Sequence, residues 1–293
     1  GAVSFSTLAP FFAAELPRAV QAAGVLMLVG LMIKSALLPF HGWLPPAHGS
    51  ASTPVSALLS ALVVKAAFYL ILRLWLTLFA AQGAALAWLP AVLGAAAVLW
   101  GSWRAITAVR LKTLVAYSTV AQLGYLFLVF PLLAGVVALQ AVMMQVVAHG
   151  LAKAAMFAAA GILVTASGQD RGAGLQGMAQ QRPLTLGAFA LAGVTLMGLP
   201  PSAGFLAKWL LIESALGAGQ WSIVAVVLAG GLLAAIYVFR VLREAMLEAA
   251  PATGAQPVPR SLEWVAFTLA GASVLLGLRG GELISLLAPG AGT

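Results

Sequence analysis

The 293-residue sequence contains no cysteine, and only 8% of its residues are charged. The absence of cysteine excludes disulfide bonds, thiolate metal ligands and an iron–sulfur cluster held by this chain. Soluble globular proteins carry about 25% charged residues, so this chain has too few charges to cover a surface that faces water. Because hydrophobic residues make up 62% of the chain, the composition excludes a soluble enzyme, a nucleic-acid-binding protein and a disordered tail. It predicts that most of the surface faces lipid.

The net charge of +8 does not indicate a nucleic-acid partner either. Most arginines lie at the ends of apolar segments, which is where the positive-inside rule places them in membrane proteins. The first residue is Gly1, and no signal peptide with a charged start and a cleavage site is visible. We therefore expect the chain to be part of a larger polypeptide or the product of a cleavage.

The apolar segments predict an all-α polytopic membrane protein, since a spanning helix needs about 20 mostly apolar residues. The candidate spans lie near residues 20–44, 54–79, 86–105, 112–133, 136–166, 184–212, 221–247 and 262–287. Residues 113–152 contain no charged side chain and are too long for one helix, so Pro131 and Gly135 are interpreted as a turn between two helices. Residues 1–18 are predicted to form an outer-side loop or surface helix that precedes a single transmembrane domain over residues 19–290.

The basic residues predict the orientation. With eight alternating spans, three loops on the same side carry most of them: Arg104, Arg110, Lys112, Arg171, Arg182, Arg240, Arg243 and Arg260. Cytoplasmic loops are enriched in lysine and arginine, so this side is predicted to be cytoplasmic and both chain ends are predicted to lie on the outer side. We expect an integral protein of a bacterial inner membrane.

Four of the five lysines interrupt apolar segments: Lys34, Lys65, Lys153 and Lys208. Lys65 follows Pro54 by 11 residues, which is about 16 Å along a helix and close to the bilayer centre. A lysine at that depth costs about 2.5–3.5 kcal/mol on insertion scales. Four such residues in one chain therefore indicate a shared function, in which each lysine changes its charge when a neighbouring charge changes.

His149 and Lys153 are four residues apart and therefore lie on one face of a helix. An imidazole and an ammonium group that are joined by water can pass a proton. Alternatively, His149 bonds a neighbouring helix and Lys153 faces an interface. The presence of Lys65 and Lys208 in the same chain favours the proton relay.

Two segments are predicted to be discontinuous helices. Their prolines are Pro39, Pro45 and Pro46 in the first segment, and Pro200 and Pro201 in the second. Proline removes a helix donor and clashes with the preceding turn, and freed carbonyls are tolerated in a membrane only where protein or water satisfies them. Lys34 and Lys208 lie within seven residues of these breaks. Paired broken helices are typical of inverted-repeat transporters, although simple kinks for packing would explain either segment alone.

The remaining polar residues give weaker predictions. His41 and His48 flank Trp43, but histidines without carboxylates or thiols disfavour a metal site. Glu213 is predicted to pair with a basic residue or to cap its span near water, and Lys112 is a secondary candidate at the basic side. The sequence 172–177 matches G-x-G-x-x-G, but no strand precedes it. We therefore expect no bound cofactor, only ordered water along a proton path.

Four segments of the chain resemble a known family. They read KSALLPFHGWLPPAHGSASTPVSALLSALVVKAAFYLILR (34–73), RLKTLVAYSTVAQLGYL (110–126), HGLAKAAMFAAAG (149–161) and GLPPSAGFLAKWLL (198–211). These segments are similar to the antiporter-like membrane subunits of respiratory complex I, a family shared with Mrp-type cation/proton antiporters and membrane-bound hydrogenases. The resemblance implies the C-terminal part, helices seven to fourteen, of a fourteen-helix fold with two inverted repeats.

The resemblance also implies roles for individual residues. Lys34 matches the lysine of the broken seventh helix, which in the family pairs with a glutamate on the fifth, and Lys65 matches the central lysine of the eighth. His149 and Lys153 match the relay on the eleventh helix, and Lys208 matches the charged residue of the broken twelfth. The chain departs from the family pattern at a secondary position, because glutamine stands where many relatives carry histidine: Gln122. The helices before the seventh, including the one with the glutamate, are expected on a second chain or a missing segment.

The function that follows from the residues and the resemblance is proton translocation by a membrane subunit of an NADH:quinone oxidoreductase-like or hydrogenase-like complex. Electron transfer elsewhere in the complex would drive the protons, with no redox chemistry on this chain. Three alternatives stay open: an Mrp-type exchange of sodium or potassium for protons, a subunit for ion-coupled uptake of inorganic carbon, and an inert structural anchor.

Overall fold

The computed structural model describes residues 18–79, 84–248 and 257–287, and within these ranges the regular structure is entirely helical. The predicted loop or surface helix at residues 1–18 lies outside the described residues, apart from Arg18. The helices are α1 (Arg18–Lys34), α2 (Leu44–Ser50), α3 (Thr53–Thr77), α4 (Trp88–Thr107), α5 (Leu111–Phe127), α6 (Val136–Ser167), α7 (Met178–Gln181), α8 (Pro183–Met197), α9 (Ala203–Gly217), α10 (Trp221–Met246), α11 (Arg260–Leu278) and α12 (Gly280–Leu287).

Six of the described segments are long and apolar enough to cross a membrane. They are α3, α4, the segment Leu111–Leu132 that begins with α5, and α6, α10 and α11. The helix α8 is apolar but has only 15 residues, about 22 Å, which is too short to cross a hydrocarbon layer of about 30 Å by itself. The prediction of an all-α membrane fold is confirmed for the described residues.

The 32-residue helix α6 is the centre of the bundle. It packs against α3, α5, α8, α9 and α11, and most of its residues are apolar, as expected of a helix that is surrounded by protein and lipid. Both histidine and lysine on this helix, His149 and Lys153, are buried among the surrounding helices. The fold therefore brings polar side chains of α6 to the interior of the bundle.

The helices α4 and α5 approach each other closely through glycine. A Cβ on Gly94 would lie 2.7 Å from the carbonyl oxygen of Gly124, and a Cβ on Gly101 would lie 2.6 Å from the backbone nitrogen of Ala121. Small residues allow membrane helices to associate by backbone contact. This contact occupies one side of α5, and the hydroxyl and amide side chains on its other sides are turned toward α3, α6 and α10.

The predicted span at residues 20–44 is wrong in its extent. The helix α1 ends at Lys34, and residues 35–43 form turns and a 3-10 helix over Phe40–Trp43. Pro39 lacks an N–H and disfavours helical geometry in the residue before it, so α1 does not continue through it. The indole N–H of Trp43 donates to the carbonyl of Ile33 at 2.8 Å, which adds a second hydrogen bond to a carbonyl at the end of α1.

Other boundaries also differ from the prediction. Pro45 and Pro46 lie in the first turn of the short helix α2, where a missing N–H has no cost, rather than inside a longer helix. The predicted span 262–287 is divided at Arg279, where α11 ends and α12 begins. The predicted turn at residues 131–135 lies between a 3-10 helix over Phe130–Leu132 and the start of α6 at Val136.

The loops that carry the basic residues meet at one end of the bundle. Arg110 Nε donates to Asp170 Oδ2 at 2.9 Å, which joins the α4–α5 loop to the loop after α6. The guanidinium of Arg240 donates to the backbone carbonyls of Ile106 and Ala108, so α10 ends beside the same loop. The structure thus gathers the predicted basic loops at a common end, which we call the basic end.

Exposed tryptophans mark both ends of the helices. Trp88 and Trp221 begin α4 and α10 at the end opposite the basic one, and Trp103 and Trp264 lie near the basic end. All of these side chains are more than half exposed. Tryptophan concentrates at membrane–water interfaces, so these residues place the bilayer between the two ends of the bundle.

Candidate functional site

Three lysines and a histidine lie inside the helical bundle. Lys65 on α3 is 4% exposed, Lys153 on α6 is 0% exposed, and Lys208 on α9 is 6% exposed. His149 lies one turn before Lys153 and is 1% exposed. We call these four residues, together with the buried polar side chains around them, the interior polar cluster.

Lys65 is held by a local distortion of its own helix. Residues Leu59–Val63 form a π-helical turn within α3, and the carbonyl of Ser60 in this turn accepts a hydrogen bond from Lys65 Nζ at 2.6 Å. Single π-turns inside helices are frequent at functional sites, because they displace carbonyls from the regular bonding pattern. The hydroxyl of Ser60 lies 2.9 Å from the hydroxyl of Thr119 on α5, so the turn also links α3 to α5.

Lys153 bonds the same face of α5. Its Nζ donates to the carbonyl of Val115 at 3.1 Å and to the hydroxyl of Ser118. The carbonyl of Val115 also accepts hydrogen bonds from the hydroxyls of Ser118, at 2.9 Å, and Thr119, at 3.1 Å. Hydroxyl groups on one turn of α5 therefore connect the surroundings of Lys65 with those of Lys153.

Lys208 occupies the break between α8 and α9. Its Nζ donates to the last carbonyls of α8, those of Leu196 at 2.6 Å and Met197 at 3.1 Å. A helix leaves its final carbonyls without partners and carries a partial negative charge there, so a cation at this position is favourable. Gly198 follows in the left-handed conformation, with φ of 79°, and a Cβ on it would lie 2.6 Å from the Lys208 side chain.

The break contains Pro200 and Pro201, which lie between the last residue of α8 and the first residue of α9. One helix therefore ends at Met197 and the next begins at Ala203. Ser202 begins the second half by accepting a hydrogen bond at its hydroxyl from the N–H of Phe205, at 3.1 Å. Serine is a favoured residue at this position because it satisfies a free helix donor.

Two buried glutamines connect the break to the helices α5 and α6. Gln122 Nε2 donates to the Leu196 carbonyl at 2.9 Å, so it shares this acceptor with Lys208. Gln145 Nε2 donates to Gln122 Oε1 at 3.1 Å. Gln145, His149 and Lys153 are spaced at four-residue intervals and lie on one face of α6.

The histidines of the interior have no hydrogen-bond partner among the described residues. Both ring nitrogens of His149 are buried and unpartnered, and so are both ring nitrogens of His48 on α2. His149 interacts electrostatically with Lys65, Lys153 and Lys208, which places it among all three amines. The ring of His48 stacks on Phe157, with ring centres 4.4 Å apart, near the charge of Lys153.

The other predicted residues lie outside the interior polar cluster. Lys34 is exposed at the end of α1, and Glu213 is exposed on α9. Lys112 is partly buried at the basic end, where its Nζ donates to the carbonyl of Ala51 at 3.4 Å. His41 lies beside Tyr117, with ring centres 6.5 Å apart.

Sequence reasoning did not single out several members of the cluster: Ser60, Ser118, Thr119, Tyr125, Gln145 and Tyr237. A signal for part of this set is present in the sequence. Positions 115, 118, 119, 122 and 125 recur at three- and four-residue spacing, so polar side chains among them share one face of α5. Hydroxyl groups in apolar segments are common, however, and spacing alone does not show that another helix bonds them.

The charge balance of the cluster is one-sided. Each ion pair that the structure shows within the described residues involves an arginine, such as Arg182 with Glu263 at 2.8 Å. The bonded acceptors of the three buried amines are carbonyls and a hydroxyl, and Lys208 Nζ also lies 4.6 Å from the ring centre of Tyr125. No carboxylate of the described residues therefore fixes the charge of these lysines.

The fold and the site define an integral, antiporter-like membrane protein with buried lysines and a broken helix. Residues 1–234 match the family described as NADH:quinone oxidoreductase/Mrp antiporter, transmembrane. The chain belongs to this family, which confirms the resemblance seen in its sequence. The similarity extends over most of the chain and therefore includes all the lysines of the interior polar cluster.

Individual relatives agree with this assignment. The chain is 39% identical to NADH-quinone oxidoreductase subunit N of Desulforudis audaxviator over 240 residues, which are 80% of this chain and 48% of that protein. Its fold matches a chain of the Mrp complex from Dietzia sp. DQ12-45-1b with a TM-score of 0.88 and 27% identity, over 98% of this chain and 61% of that one. It also matches a chain of respiratory complex I from Thermus thermophilus with a TM-score of 0.72 and 31% identity, over 89% of this chain and 57% of that one. The chain spans about half the length of the curated relatives it matches.

Proposed function

We propose that this chain conducts protons across a membrane as one subunit of a larger complex. The interior polar cluster is the conducting element, with Lys65, His149, Lys153 and Lys208 as the groups that gain and lose protons. Ordered water completes the path between them. No redox centre on this chain takes part.

The observation that carries this proposal is the absence of a carboxylate partner for the buried amines within the described chain. A buried ion pair holds its charges in place, and breaking it is strongly unfavourable. An amine that bonds only neutral acceptors has no such fixed partner, so its charge responds to burial and to the charges of the other lysines. An inert anchor would be expected to neutralise its buried lysines with salt bridges, and the described residues do not supply them.

The unpartnered side chains support a hydrated path. Buried polar groups in folded proteins nearly always have a hydrogen-bond partner, either protein or ordered water. Both rings, His48 and His149, lack a protein partner among the described residues although they are buried. Water at these nitrogens would satisfy them and would connect the basic end to Lys153.

The driving reaction is proposed from the relatives. Because several relatives are named as subunits of NADH-quinone oxidoreductase, we propose that electron transfer in neighbouring subunits drives the protons. The basic end is proposed to face the cytoplasm of a bacterial cell, in accordance with the positive-inside rule.

The remaining helices of the fold are proposed to cover α1. Lys34 is exposed at its end, and Leu26, which is 72% exposed, and Ile33, which is 44% exposed, form an apolar surface on the same helix. By the family resemblance, this lysine pairs with a glutamate that the first six helices carry. We therefore propose that the conducting line extends to Lys34 only in the presence of those helices.

A substitution experiment tests the proposal. Everted membrane vesicles that contain the whole complex are supplied with NADH, and proton uptake is followed with a pH-sensitive dye while NADH oxidation is recorded. We expect Lys65→Ala and Lys208→Ala to lose at least about 90% of the proton uptake per assembled complex, since each tenfold loss corresponds to only about 1.4 kcal/mol at the rate-limiting step. Normal proton uptake in both variants would contradict the proposal.

A cation/proton antiporter is a second candidate, because the similarity to the Mrp complex covers 98% of this chain. The same vesicles distinguish the two. After a proton gradient is established, sodium or potassium is added. If the added cation dissipates the proton gradient rapidly, and if this dissipation requires Lys65, cation/proton exchange is favoured. If proton uptake requires NADH and is unchanged by either cation, redox-driven translocation is favoured.

A further inference from the structure

Two tyrosine hydroxyls lie in the interior without a hydrogen-bond partner among the described residues. Tyr125 on α5 is 2% exposed and Tyr237 on α10 is 0% exposed, and the hydroxyl of each is buried and unpartnered. A phenol in this position destabilises a fold relative to phenylalanine of the same shape, because the hydroxyl loses its water without gaining a protein partner. Packing alone therefore does not account for tyrosine at both positions.

The two tyrosines border the surroundings of two different buried amines. Tyr237 lies beside the side chains of Ser118 and Gln122, and Ser118 bonds Lys153 Nζ. The ring of Tyr125 lies 4.6 Å from Lys208 Nζ. One tyrosine thus borders the bonded partner of Lys153, and the other borders Lys208.

The helix α10 brings the tyrosines toward each other. The hydroxyl of Tyr125 lies directly against the backbone of Gly230, where a Cβ would collide with it. Tyr237 is seven residues further along α10, which is two turns later on the same face. Side chains on a helix point toward its N-terminus, so the Tyr237 ring is directed back toward Gly230, and the two tyrosines interact electrostatically.

The glutamine in the same region does not offer an equivalent route. The amide of Gln122 donates to the Leu196 carbonyl and accepts from Gln145. An amide N–H in this arrangement does not exchange its proton as readily as a hydroxyl, which has one donor and two acceptor positions on the same atom. The hydroxyls of Ser118, Tyr237 and Tyr125 are therefore the protein groups suited to pass a proton through this part of the cluster.

We propose that Tyr237 and Tyr125 relay protons between Lys153 and Lys208. This inference rests on the proposed proton conduction. A proton leaves the Lys153 ammonium for Ser118, and each hydroxyl or bridging water molecule accepts one proton while giving up its own to the next. The last proton bonds to the neutral amine of Lys208. Lys153 loses one proton, Lys208 gains one, and every hydroxyl and water is neutral before and after the step.

The test compares phenylalanine substitutions in the assembled complex in everted vesicles. Tyr237→Phe and Tyr125→Phe keep the rings and remove the hydroxyls, and Tyr69→Phe is the matched control because Tyr69 is 47% exposed on α3. Each interior variant is expected to lower proton uptake per complex by at least about tenfold, at the low end of what a proton-transfer group contributes. The double variant is expected to be no slower than the slower single variant, since both hydroxyls act in series.

Thermal unfolding of the purified complex separates a relay from a packing role. A relay predicts slow transport in both interior variants, with an unchanged or higher unfolding temperature for Tyr125→Phe, whose hydroxyl has no partner among the described residues, and at most a small decrease for Tyr237→Phe, whose hydroxyl lies beside Ser118 and Gln122. Replacement of Tyr237 by 3,5-difluorotyrosine keeps the shape and makes the phenol more acidic. The relay predicts that, in a plot of transport rate against pH, the decline on the alkaline side then shifts toward lower pH.

The competing route runs through His149, which lies among the same amines. Normal transport in both phenylalanine variants, together with loss of transport in His149→Gln, overturns the tyrosine relay and leaves proton conduction intact. Normal transport in Lys65→Ala and Lys153→Met would instead overturn the conduction on which the relay rests.

Discussion

Replacement of Lys153 by methionine separates conduction from stability. Methionine has a similar length and no charge, so the substitution removes the buried ammonium and its two hydrogen bonds to α5. The Val115 carbonyl keeps the hydrogen bonds from Ser118 and Thr119, and the Ser118 hydroxyl still donates to that carbonyl, so neither group loses all its hydrogen bonds. The substitution is therefore unusually mild for a fully buried polar residue.

The energetic consequences largely cancel. The loss of two hydrogen bonds to a charged group costs about 1.5–3 kcal/mol each. Removal of a charge from the membrane interior stabilises the inserted protein by about 2.5–3.5 kcal/mol on insertion scales. We therefore expect the free energy of unfolding of Lys153→Met to fall by about 1.5 kcal/mol, and by no more than about 3.5 kcal/mol, with near-normal assembly, while proton uptake falls at least about tenfold.

The assay quantifies the complex by affinity tag, measures its unfolding temperature in detergent and records proton uptake in vesicles. Arg243→Met is the control, because it removes a positive charge whose side chain is 74% exposed. A role of Lys153 in proton conduction is refuted if Lys153→Met retains more than about half of the wild-type proton uptake. It is also refuted if proton uptake falls only in proportion to a loss of assembled complex.

Three further predictions concern other parts of the structure. Ser60→Ala and Thr119→Val each remove one hydroxyl of a buried hydrogen-bonded pair. A double-mutant cycle of transport rates should show a coupling of about 0.5–1.5 kcal/mol between them, and additive effects would exclude a role of this hydrogen bond in transport. Burial and the nearby charge of Lys153 lower the pKa of His48 to about 4. The stability that depends on neutral His48 is therefore complete above pH 6.5 and is lost as the pH drops toward 4, by about 3 kcal/mol in total. The unfolding temperature of His48→Phe should depend less on pH over this range than that of the wild type, and an equal dependence would contradict the lowered pKa of His48. Arg182→Ala leaves Glu263 buried without its ion-pair partner and should cost about 3 kcal/mol; we expect less assembled complex and normal transport per complex, and reduced transport per complex would place this pair in the path.

The sequence predicts the break between α8 and α9 because proline and glycine act locally. Pro200 and Pro201 each lack a backbone N–H and clash with the preceding turn, so they break or kink the interior of a helix, and Gly198 allows the left-handed turn that ends α8. The bonding of Lys208 to the last carbonyls of α8 is less predictable, since it depends on how α9 packs against α8. Local chemistry fixes where the helix stops, and tertiary packing fixes which group uses the freed carbonyls.

The lysines show the same limit. Hydropathy treats Lys34 and Lys65 alike, because both interrupt apolar segments. The structure buries Lys65 against α5 and leaves Lys34 exposed at the end of α1. Burial depends on which helices surround a side chain, and this information is not contained in the local pattern.

Proton conduction requires that water reaches the interior of the bundle. Because the chain contains no cysteine, a single introduced thiol can measure this access directly. Ser118→Cys places a thiol beside Lys153, and Ala121→Cys places one about one turn further along α5, in the close contact with Gly101 of α4; both native residues are at most 1% exposed. Whole complexes in vesicles are treated with a small, water-soluble methanethiosulfonate reagent, and the labelled fraction of this chain is followed by mass spectrometry. A hydrated proton path predicts rapid labelling at position 118 and none at position 121, whereas a thiol at position 118 that is as unreactive as the one at position 121 would contradict hydration of the interior.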